Sequence, residues 1–190
     1  MRALRSAMPV KTHLAFLRAV NVGGTGKLEM AGLRAWFTKL GFVDVQTVRQ
    51  TGNVVFRGGR LTGAALERFL EAEATAHFGV NLVIIVCAAE QWLEAIAQNP
   101  FRSEARQDPA HVVIVVLKTA PTAVRVKALQ AAIKGPELVR VVGRHAYIVY
   151  PAALGTSKLT LSVIERHLDT RGTARNWNTV LKIAAAAKVM

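Results

Sequence analysis

Two short stretches of the chain are almost continuously apolar, and they restrict the fold more than any other feature. They read LVIIVCAA at 82–89 and HVVIVVLK at 111–118. Each is far shorter than the roughly 20 apolar residues that a membrane-spanning helix needs, and both are rich in β-branched residues, which favour strands. A strand that is apolar on both faces is usually covered on both. We therefore expect two sheets that pack on each other, on helices, or across a homodimer.

Hydrophobic spacing predicts the element order β-α-β-β-α-β in the first half of the chain and a repeat of it in the second. This order is typical of the ferredoxin-like plait. We therefore predict an α+β fold of two subdomains, each resembling a ferredoxin-like plait, with a connecting helix and a C-terminal helix. The predicted elements of the first half are a strand (12–20), a helix (29–42), a hairpin (43–58), a helix (61–79), a strand (80–87) and the connecting helix (88–99). Those of the second half are a strand (111–118), a helix (121–135), a strand pair (137–151), a helix (156–169) and the C-terminal helix (176–189).

The polar segment NPFRSEARQDPA, which carries two prolines, is the best candidate for a boundary between the subdomains. The predicted division is a flexible N-terminal extension (1–10), a first subdomain with the connecting helix (11–98), a loop (99–110) and a second subdomain with the C-terminal helix (111–190).

The chain has a single cysteine, Cys87, within an apolar run. An intramolecular disulfide is therefore excluded, and a reducing compartment is the simplest expectation. With no signal-peptide pattern and no membrane span in the sequence, we expect a cytoplasmic protein. We read Cys87 as a buried core residue.

The net charge of +13 is unevenly distributed. Residues 1–117 carry 13 Lys and Arg against 9 Asp and Glu, whereas residues 118–190 carry 12 against 3. A basic surface attracts phosphates through long-range electrostatics. Simple solubility is an equally good explanation of the charge.

Motifs for metal or nucleophilic chemistry are missing from the sequence. The five histidines show no zinc-ligand spacing, and no G-x-S-x-G element occurs. We predict no metal and no cofactor, and the sequence leaves open whether the protein is an enzyme.

The glycine-rich segment NVGGTGK at 21–27 follows a predicted strand and precedes a helix, as phosphate-binding loops do. It is not a Walker A motif, because Asn21 and Leu28 occupy positions that require Gly and Ser or Thr. Backbone N–H groups of such a turn can still form an anion-binding nest. The candidate residues here are Arg18, Asn21, Gly23, Gly24 and Lys27.

A second candidate element is PAALGTSKLT at 151–160, where Thr156 or Ser157 is predicted to cap a helix. Lys158 would then lie in the first turn, where a cation opposes the helix dipole. A bound anion would resolve that conflict, and a solvated lysine is the alternative.

A third candidate element is TARNWNT at 173–179, at the start of the last predicted helix. Asn176 is a suitable N-cap, and Trp177 can pack along the helix. Capping and packing do not account for Arg175 and Asn178. An arginine with amide neighbours is suited to bidentate recognition of phosphate or carboxylate.

Three segments together resemble the domain of unknown function 1697 family: LAFLRAVNVGGTGKLEMAGLRAWFTKLGFVDVQTVRQTGNVVF, NPF, and TARNWNTVLKI. The resemblance spans roughly residues 12–186. It implies a soluble bacterial protein of two α+β subdomains, each similar to a ferredoxin-like plait, and no established activity. The chain departs from the family pattern at Ala19, where the family has Gly, and at Thr51, where it has Ser, before Gly52 and Asn53.

Three hypotheses about function follow from the sequence. The leading one is binding of a phosphate-bearing ligand, a nucleotide or nucleic acid, at a basic site rich in asparagine and glycine. The second is an enzyme that acts on a phosphorylated small molecule with the same residues. The third is a structural or interaction protein in which the asparagines only cap helices and bridge backbone. The predicted site residues are Arg18, Asn21, Gly23, Gly24, Lys27, Asn53, Ser157, Lys158, Arg175, Asn176 and Asn178.

Overall fold

A computed structural model describes residues 11–18, 29–49, 52–152 and 154–188. The strands are β1 (Thr12–Arg18), β2 (Val43–Val48), β3 (Asn53–Arg57), β4 (Val83–Ala88), β5 (Val112–Leu117), β6 (Leu138–Val142), β7 (His145–Val149) and β8 (Gly172–Asn176). The α-helices are α1 (Met30–Lys39), α2 (Gly63–Phe78), α3 (Ala89–Ala97), α4 (Arg102–Gln107), α5 (Ala123–Ala132), α6 (Leu161–Leu168) and α7 (Trp177–Lys188). None of the helices in these ranges is long and apolar enough to cross a membrane.

The strands form two antiparallel sheets with the same topology. The first sheet has the order β2-β3-β1-β4 and the second the order β6-β7-β5-β8. Each sheet is accompanied by two helices in the sequence order β-α-β-β-α-β. The predicted α+β class with two ferredoxin-like halves is therefore confirmed.

The two sheets share one central core, as the two-faced apolar strands predict. Phe16 and Ile85 of the first sheet lie in the same buried cluster as Ile114 and Tyr147 of the second. Helices α3 and α7 complete this cluster, for example through Trp92. The expectation that the sheets pack on each other and on the connecting and terminal helices is thus confirmed, because β1, β4 and β5 are covered on both faces.

Each sheet also has an outer core against its own pair of helices. Leu33 of α1 and Leu70 of α2 pack on the outer face of the first sheet. Leu129 of α5 and Ile164 of α6 pack on the outer face of the second. The connection between β7 and α6, residues 150–160, therefore lies beside the outer core of the second half, to which it contributes Tyr150 and Leu159.

The structure differs from the predicted elements at three places. Residues Gly172–Asn176 form the edge strand β8, which pairs with β5, rather than the approach to the last helix. The helix predicted from 156 begins at Leu161, and its N-cap is Thr160, whose hydroxyl accepts a hydrogen bond from the Val163 N–H at 3.4 Å. The loop at 99–110 contains the short helix α4.

The aromatic residues of the central strands are all buried. Phe16 and Tyr147 face the central core, whereas Phe56 and Tyr150 face the outer cores. Tyr147 and Tyr150 therefore point to opposite faces, as their spacing predicts. None of the four is available to stack on a nucleic acid base.

Candidate functional site

The structure brings together two of the predicted site residues, Asn53 and Arg175, near the end of β1. Asn53 begins β3 and lies opposite Phe16 in the β1–β3 register. Arg175 lies on β8, opposite Ile114 of β5. Because Phe16 and Ile114 both face the central core, the side chains of Asn53 and Arg175 point into the space between the two sheets.

Arg175 is an interior residue that joins the two sheets. Its Nε donates to Oδ1 of Asn53 at 2.5 Å, and one Nη donates to the hydroxyl of Thr173 at 2.6 Å. Its guanidinium lies 5.9 Å from the centre of the Phe16 ring. Arg175 is 8% exposed and Asn53 only 1%, and burial lowers the pKa of Arg175 to about 10.

Arg18, at the end of β1, is held by a carboxylate of the second half. Its guanidinium makes two 2.9 Å hydrogen bonds to Glu165 of α6, in a bidentate arrangement. Glu165 is buried and also accepts from the Gly172 N–H of β8 at 2.8 Å. Arg18 is therefore engaged in a contact between the halves and does not reach Ser157 or Lys158.

The two asparagines of the last motif have different surroundings. Asn176 caps α7, because its Oδ1 accepts from the N–H of Thr179 at 3.1 Å and from its hydroxyl at 2.8 Å. The predicted capping role is thus confirmed. Asn178 is half-buried in the first turn of α7. Asn21, Gly23, Gly24 and Lys27 lie outside the described residues.

Ser157 and Lys158 lie at a different place, on the wall of a cavity of about 400 Å³. The cavity is bounded by the end of α5 and by the connection from β7 to α6. Its floor is largely apolar. The lining residues are Ala132, Ile133, Lys134, Gly135, Pro136, Glu137, Tyr150, Pro151, Ala152, Thr156, Ser157, Lys158, Leu159 and Val163.

The hydroxyl of Ser157 is fixed by two hydrogen bonds. It donates to the carboxylate of Glu137 and accepts from the Leu159 N–H at 3.0 Å. Below it, the Tyr150 hydroxyl donates to the Leu159 carbonyl at 3.0 Å. Burial, with a smaller contribution from the charge of Glu137, raises the pKa of Tyr150 to about 12, so the phenol is neutral at physiological pH.

Two lysines supply positive charge at this cavity. Lys134 and Lys158 are exposed lining residues, and neither forms an ion pair with another residue in the described ranges. Lys158 is not in a helical turn, since α6 begins at Leu161. The predicted conflict with a helix dipole therefore does not arise, and capping by Thr156 or Ser157 is wrong.

Sequence reasoning missed two residues of this cavity, Lys134 and Glu137. Both follow α5 in the segment KGPE, whose Gly-Pro pair indicates only that a helix has ended. No local pattern relates this segment to Ser157, 20 residues further on. Only the packing of α5 beside α6 brings the two segments together.

The described residues offer little for metal or thiol chemistry. Within those ranges no group of three or more His, Cys, Asp or Glu side chains is placed to hold a metal ion. Cys87 is buried, as predicted, and burial raises the pKa of its thiol to about 12. A thiol in that environment is a poor nucleophile.

Two antiparallel sheets around a shared core, each with its own outer helices, define an α+β protein of two ferredoxin-like halves. The model of the family described as protein of unknown function (DUF1697) matches residues 10–147. The chain therefore belongs to the DUF1697 family.

A similar solved structure is that of the conserved bacterial protein SP0830 from Streptococcus pneumoniae. It is 20% identical to this chain, with a TM-score of 0.73, and the match covers 94% of this chain and 99% of that one. At this identity the likeness shows the fold alone. No curated protein matches this chain significantly.

Proposed function

We propose that the protein binds a small phosphate-bearing molecule in the cavity that Lys134, Ser157 and Lys158 line. The observation that carries the proposal is the combination of an apolar cavity of about 400 Å³ with two lysines that have no ion-pair partner in the described part of the chain. Small-molecule sites are typically concave and mostly apolar, with a few polar groups that orient the ligand. A nucleotide or a phosphorylated metabolite fits this description.

The charges at the cavity favour an anion. Glu137 is the only carboxylate among the lining residues, and its carboxylate already accepts from the Ser157 hydroxyl. The two lysines therefore outnumber it. Apolar groups such as Ile133 and Val163 would cover the organic part of the ligand, while the lysine ammonium groups would contact its phosphate.

The cavity site is narrower than the site predicted from sequence. Arg175 and Asn53 hydrogen-bond to each other in the interior, and Asn176 caps α7. Asn53 and Asn176 thus have structural contacts of the kind that the third hypothesis gave to the asparagines. Arg18 bonds to Glu165. Of the predicted site residues that the structure describes, Ser157 and Lys158 line the cavity, and Lys134 joins them.

Thermal unfolding with added ligands tests the proposal. AMP, a sugar phosphate, sulfate and a short single-stranded DNA are each titrated at low and high salt. A ligand at 100 times its Kd should stabilise the fold by about 2.7 kcal/mol, which raises the melting temperature by roughly 5–10 °C for a chain of this size. Lys134→Ala and Lys158→Ala should each reduce the rise.

Lys127→Ala is the matched control, because Lys127 is exposed on α5 and does not line the cavity. It removes the same charge and should leave the rise unchanged. A shift with DNA alone that disappears at high salt and responds equally to all three lysine variants would indicate diffuse polyanion binding. No shift with any of the ligands would contradict the proposal.

A further inference from the structure

The edge strands of the two sheets are β2, β4, β6 and β8. The outward backbone groups of β6 differ in their surroundings from those of the other three strands. An edge strand exposes N–H and C=O groups that can pair with another chain, and proteins usually block such edges. Here the outward groups of β4, β8 and β2 are each blocked by an identifiable feature.

The edge of β4 is covered by side chains. The outward N–H groups of Ile84, Val86 and Ala88 donate to the side-chain oxygens of Glu71, Glu67 and Gln91 at 2.9, 2.9 and 3.0 Å respectively. The carbonyl of Ile84 also accepts from Lys118 Nζ at 2.9 Å. No strand can add to β4 without displacing these bonds.

The edges of β8 and β2 are also blocked. On β8, the Gly172 N–H donates to Glu165 at 2.8 Å. The Ala174 carbonyl accepts at 2.7 Å from Arg175, which is buried and also bonded to Asn53, whereas Arg140 of β6 is exposed. On β2, the pairing with β3 is interrupted by a bulge, at which Asp44 has a φ of 52°. A bulge twists an edge away from regular pairing.

Strand β6 is regular, and its outward groups follow from the register. Leu117 N–H donates to the Arg144 carbonyl, and Tyr150 N–H donates to the His111 carbonyl. Alternation then assigns residues 146 and 148 of β7 to β5, and 145, 147 and 149 to β6. The N–H and C=O groups of Val139 and Val141 therefore point outward.

These outward groups are mostly open. The carbonyl of Val139 accepts from its own neighbour, Arg140, at 3.0 Å. Within the described ranges no other group hydrogen-bonds to the outward N–H or C=O groups of Val139 and Val141. The side chains of Leu138 and Val142, on either side of Arg140, are 46% and 39% exposed. They lie on the face that elsewhere forms the central core, since Leu138 pairs with Val149.

We propose that β6 is a docking edge for an extended segment of an acidic partner protein, which adds as an antiparallel fifth strand to the second sheet. Such strand addition takes its affinity from backbone hydrogen bonds and its specificity from alternate side chains. The partner segment carries an acidic residue opposite Arg140, with an apolar residue two positions away on each side to cover Leu138 and Val142. Arg140 exchanges its bond to the Val139 carbonyl for the partner's carboxylate.

The charge of the chain argues against a second copy as the occupant. Two copies would each bring a net charge of +13. A two-fold pairing centred on β6 also places Arg140 opposite its own counterpart, and like charges directly opposite are destabilising. An acidic segment is complementary both to the net charge of the chain and to the charge of Arg140.

The test uses fluorescein-labelled peptides and the full-length protein. The probe is acetyl-Ser-Val-Thr-Glu-Thr-Val-Ser-amide, whose Val, Glu and Val side chains share one face. Fluorescence anisotropy should show saturable binding. A peptide with Lys in place of Glu should bind at least tenfold more weakly. Arg140→Glu should reverse this preference, whereas Arg106→Glu, which makes the same change of charge on α4, should not.

Two methylated probes separate strand addition from charge attraction. N-methylation of both threonines removes the N–H groups that would pair with Val139 and Val141, and should abolish binding. The N–H of the glutamate points away from β6 in the proposed pairing. N-methylation of the glutamate therefore leaves the hydrogen bonds to Val139 and Val141 intact and should preserve binding. Neither probe perturbs the fold of the protein.

Several results would overturn the proposal. They are the absence of binding, equal binding of the two methylated probes, or an affinity that Arg140→Glu leaves unchanged. A dimer detected by light scattering and lost in Arg140→Glu would assign the edge to a second copy instead. Lys134→Ala and Lys158→Ala should leave peptide affinity unaltered, so failure of the cavity proposal and failure of this one are distinguishable.

Discussion

Nε of Arg175 donates to Oδ1 of Asn53 at 2.5 Å, across 122 positions of sequence, and this bond connects the second sheet to the first. Asn53 in turn donates from Nδ2 to the Val48 carbonyl at 2.9 Å, which ties the guanidinium to the β2–β3 turn. A buried arginine is tolerated only where its donors find acceptors. The pair is therefore one of the contacts that hold the two halves together.

Removing the Asn53 amide should destabilise the protein. Asn53→Ala takes an acceptor from a buried guanidinium, and an unsatisfied buried group costs about 1–3 kcal/mol. For a chain of this size that lowers the melting temperature by roughly 2–4 °C per kcal/mol. Asn81→Ala, at an exposed position, is the control for loss of an amide. Equal melting temperatures for both variants would refute a stabilising role of the pair.

A further connection between the halves depends on Glu67, which is 1% exposed. Its carboxylate lies 3.0 Å from Arg144 and 3.2 Å from Lys118. Glu67→Gln keeps an acceptor for the Val86 N–H but removes the charge. Removing one partner of a buried ion pair typically costs about 3–5 kcal/mol of stability. Because Lys118 and Arg144 are partly exposed, we expect Glu67→Gln to cost an amount at the lower end of this range.

A double-mutant cycle with Arg144→Met measures this coupling by urea unfolding. The two changes together should cost less than the sum of the single changes, by about 0.5–3 kcal/mol. Strict additivity would show that Glu67 and Arg144 act independently.

Acidification should weaken the fold through His145. Burial, with a smaller effect of the neighbouring Arg144, lowers the pKa of His145 from 6.5 to about 4, and burial also lowers the pKa of His13. Between pH 6.5 and pH 4, His145 binds a proton in the unfolded chain but not in the folded protein. The contribution of neutral His145 to stability is therefore fully present above pH 6.5 and is lost as the pH falls towards 4.

The loss attributable to His145 is on the order of 2 kcal/mol. Urea unfolding at pH 7 and pH 4.5 measures it, and His145→Gln should flatten the dependence on pH in this interval. A variant with the same pH profile as the natural chain would rule out His145 as the source.

Two glycines should respond in opposite directions to alanine. A Cβ at Gly172 on β8 would lie 2.9 Å from Val115 Cγ1 and 3.2 Å from the Val116 carbonyl oxygen, whereas a Cβ at Gly32 in α1 meets nothing within 4 Å. Gly172→Ala should therefore cost about 1–3 kcal/mol through overpacking. Gly32→Ala should stabilise by about 0.5–1 kcal/mol, because alanine favours helix. Calorimetry of both variants checks the signs.

Local pattern was sufficient for most elements of this fold. Helix α1 falls within the predicted helix at 29–42, and Leu33 and Phe37, four residues apart on one face, are both buried in the outer core of the first sheet. Gly52 lies between β2 and β3 with a φ of 69°, a conformation that glycine adopts without strain. These features depend on periodicity and on the backbone preferences of single residues, and both can be identified in the sequence alone.

Strand β8 shows where such reasoning stops. Its residues, GTARN, have neither apolar alternation nor high strand propensity. They are extended because β5 offers an open ladder on that side, and Ile114 there pairs with Arg175. Tertiary pairing overrides weak local preference, so no window of sequence around residues 172–176 could have revealed it.

Sequence was thus enough to predict the first plait, most of the second, the burial of Cys87 and the capping of α7 by Asn176, because each follows from periodicity or from contacts within a few residues. Packing between distant segments placed Arg175 in the interior with Asn53, and brought Lys134 and Glu137 to one cavity with Ser157. Those relationships join segments at least 20 residues apart, and the packing of sheets and helices that creates them leaves no mark on the local pattern of residues.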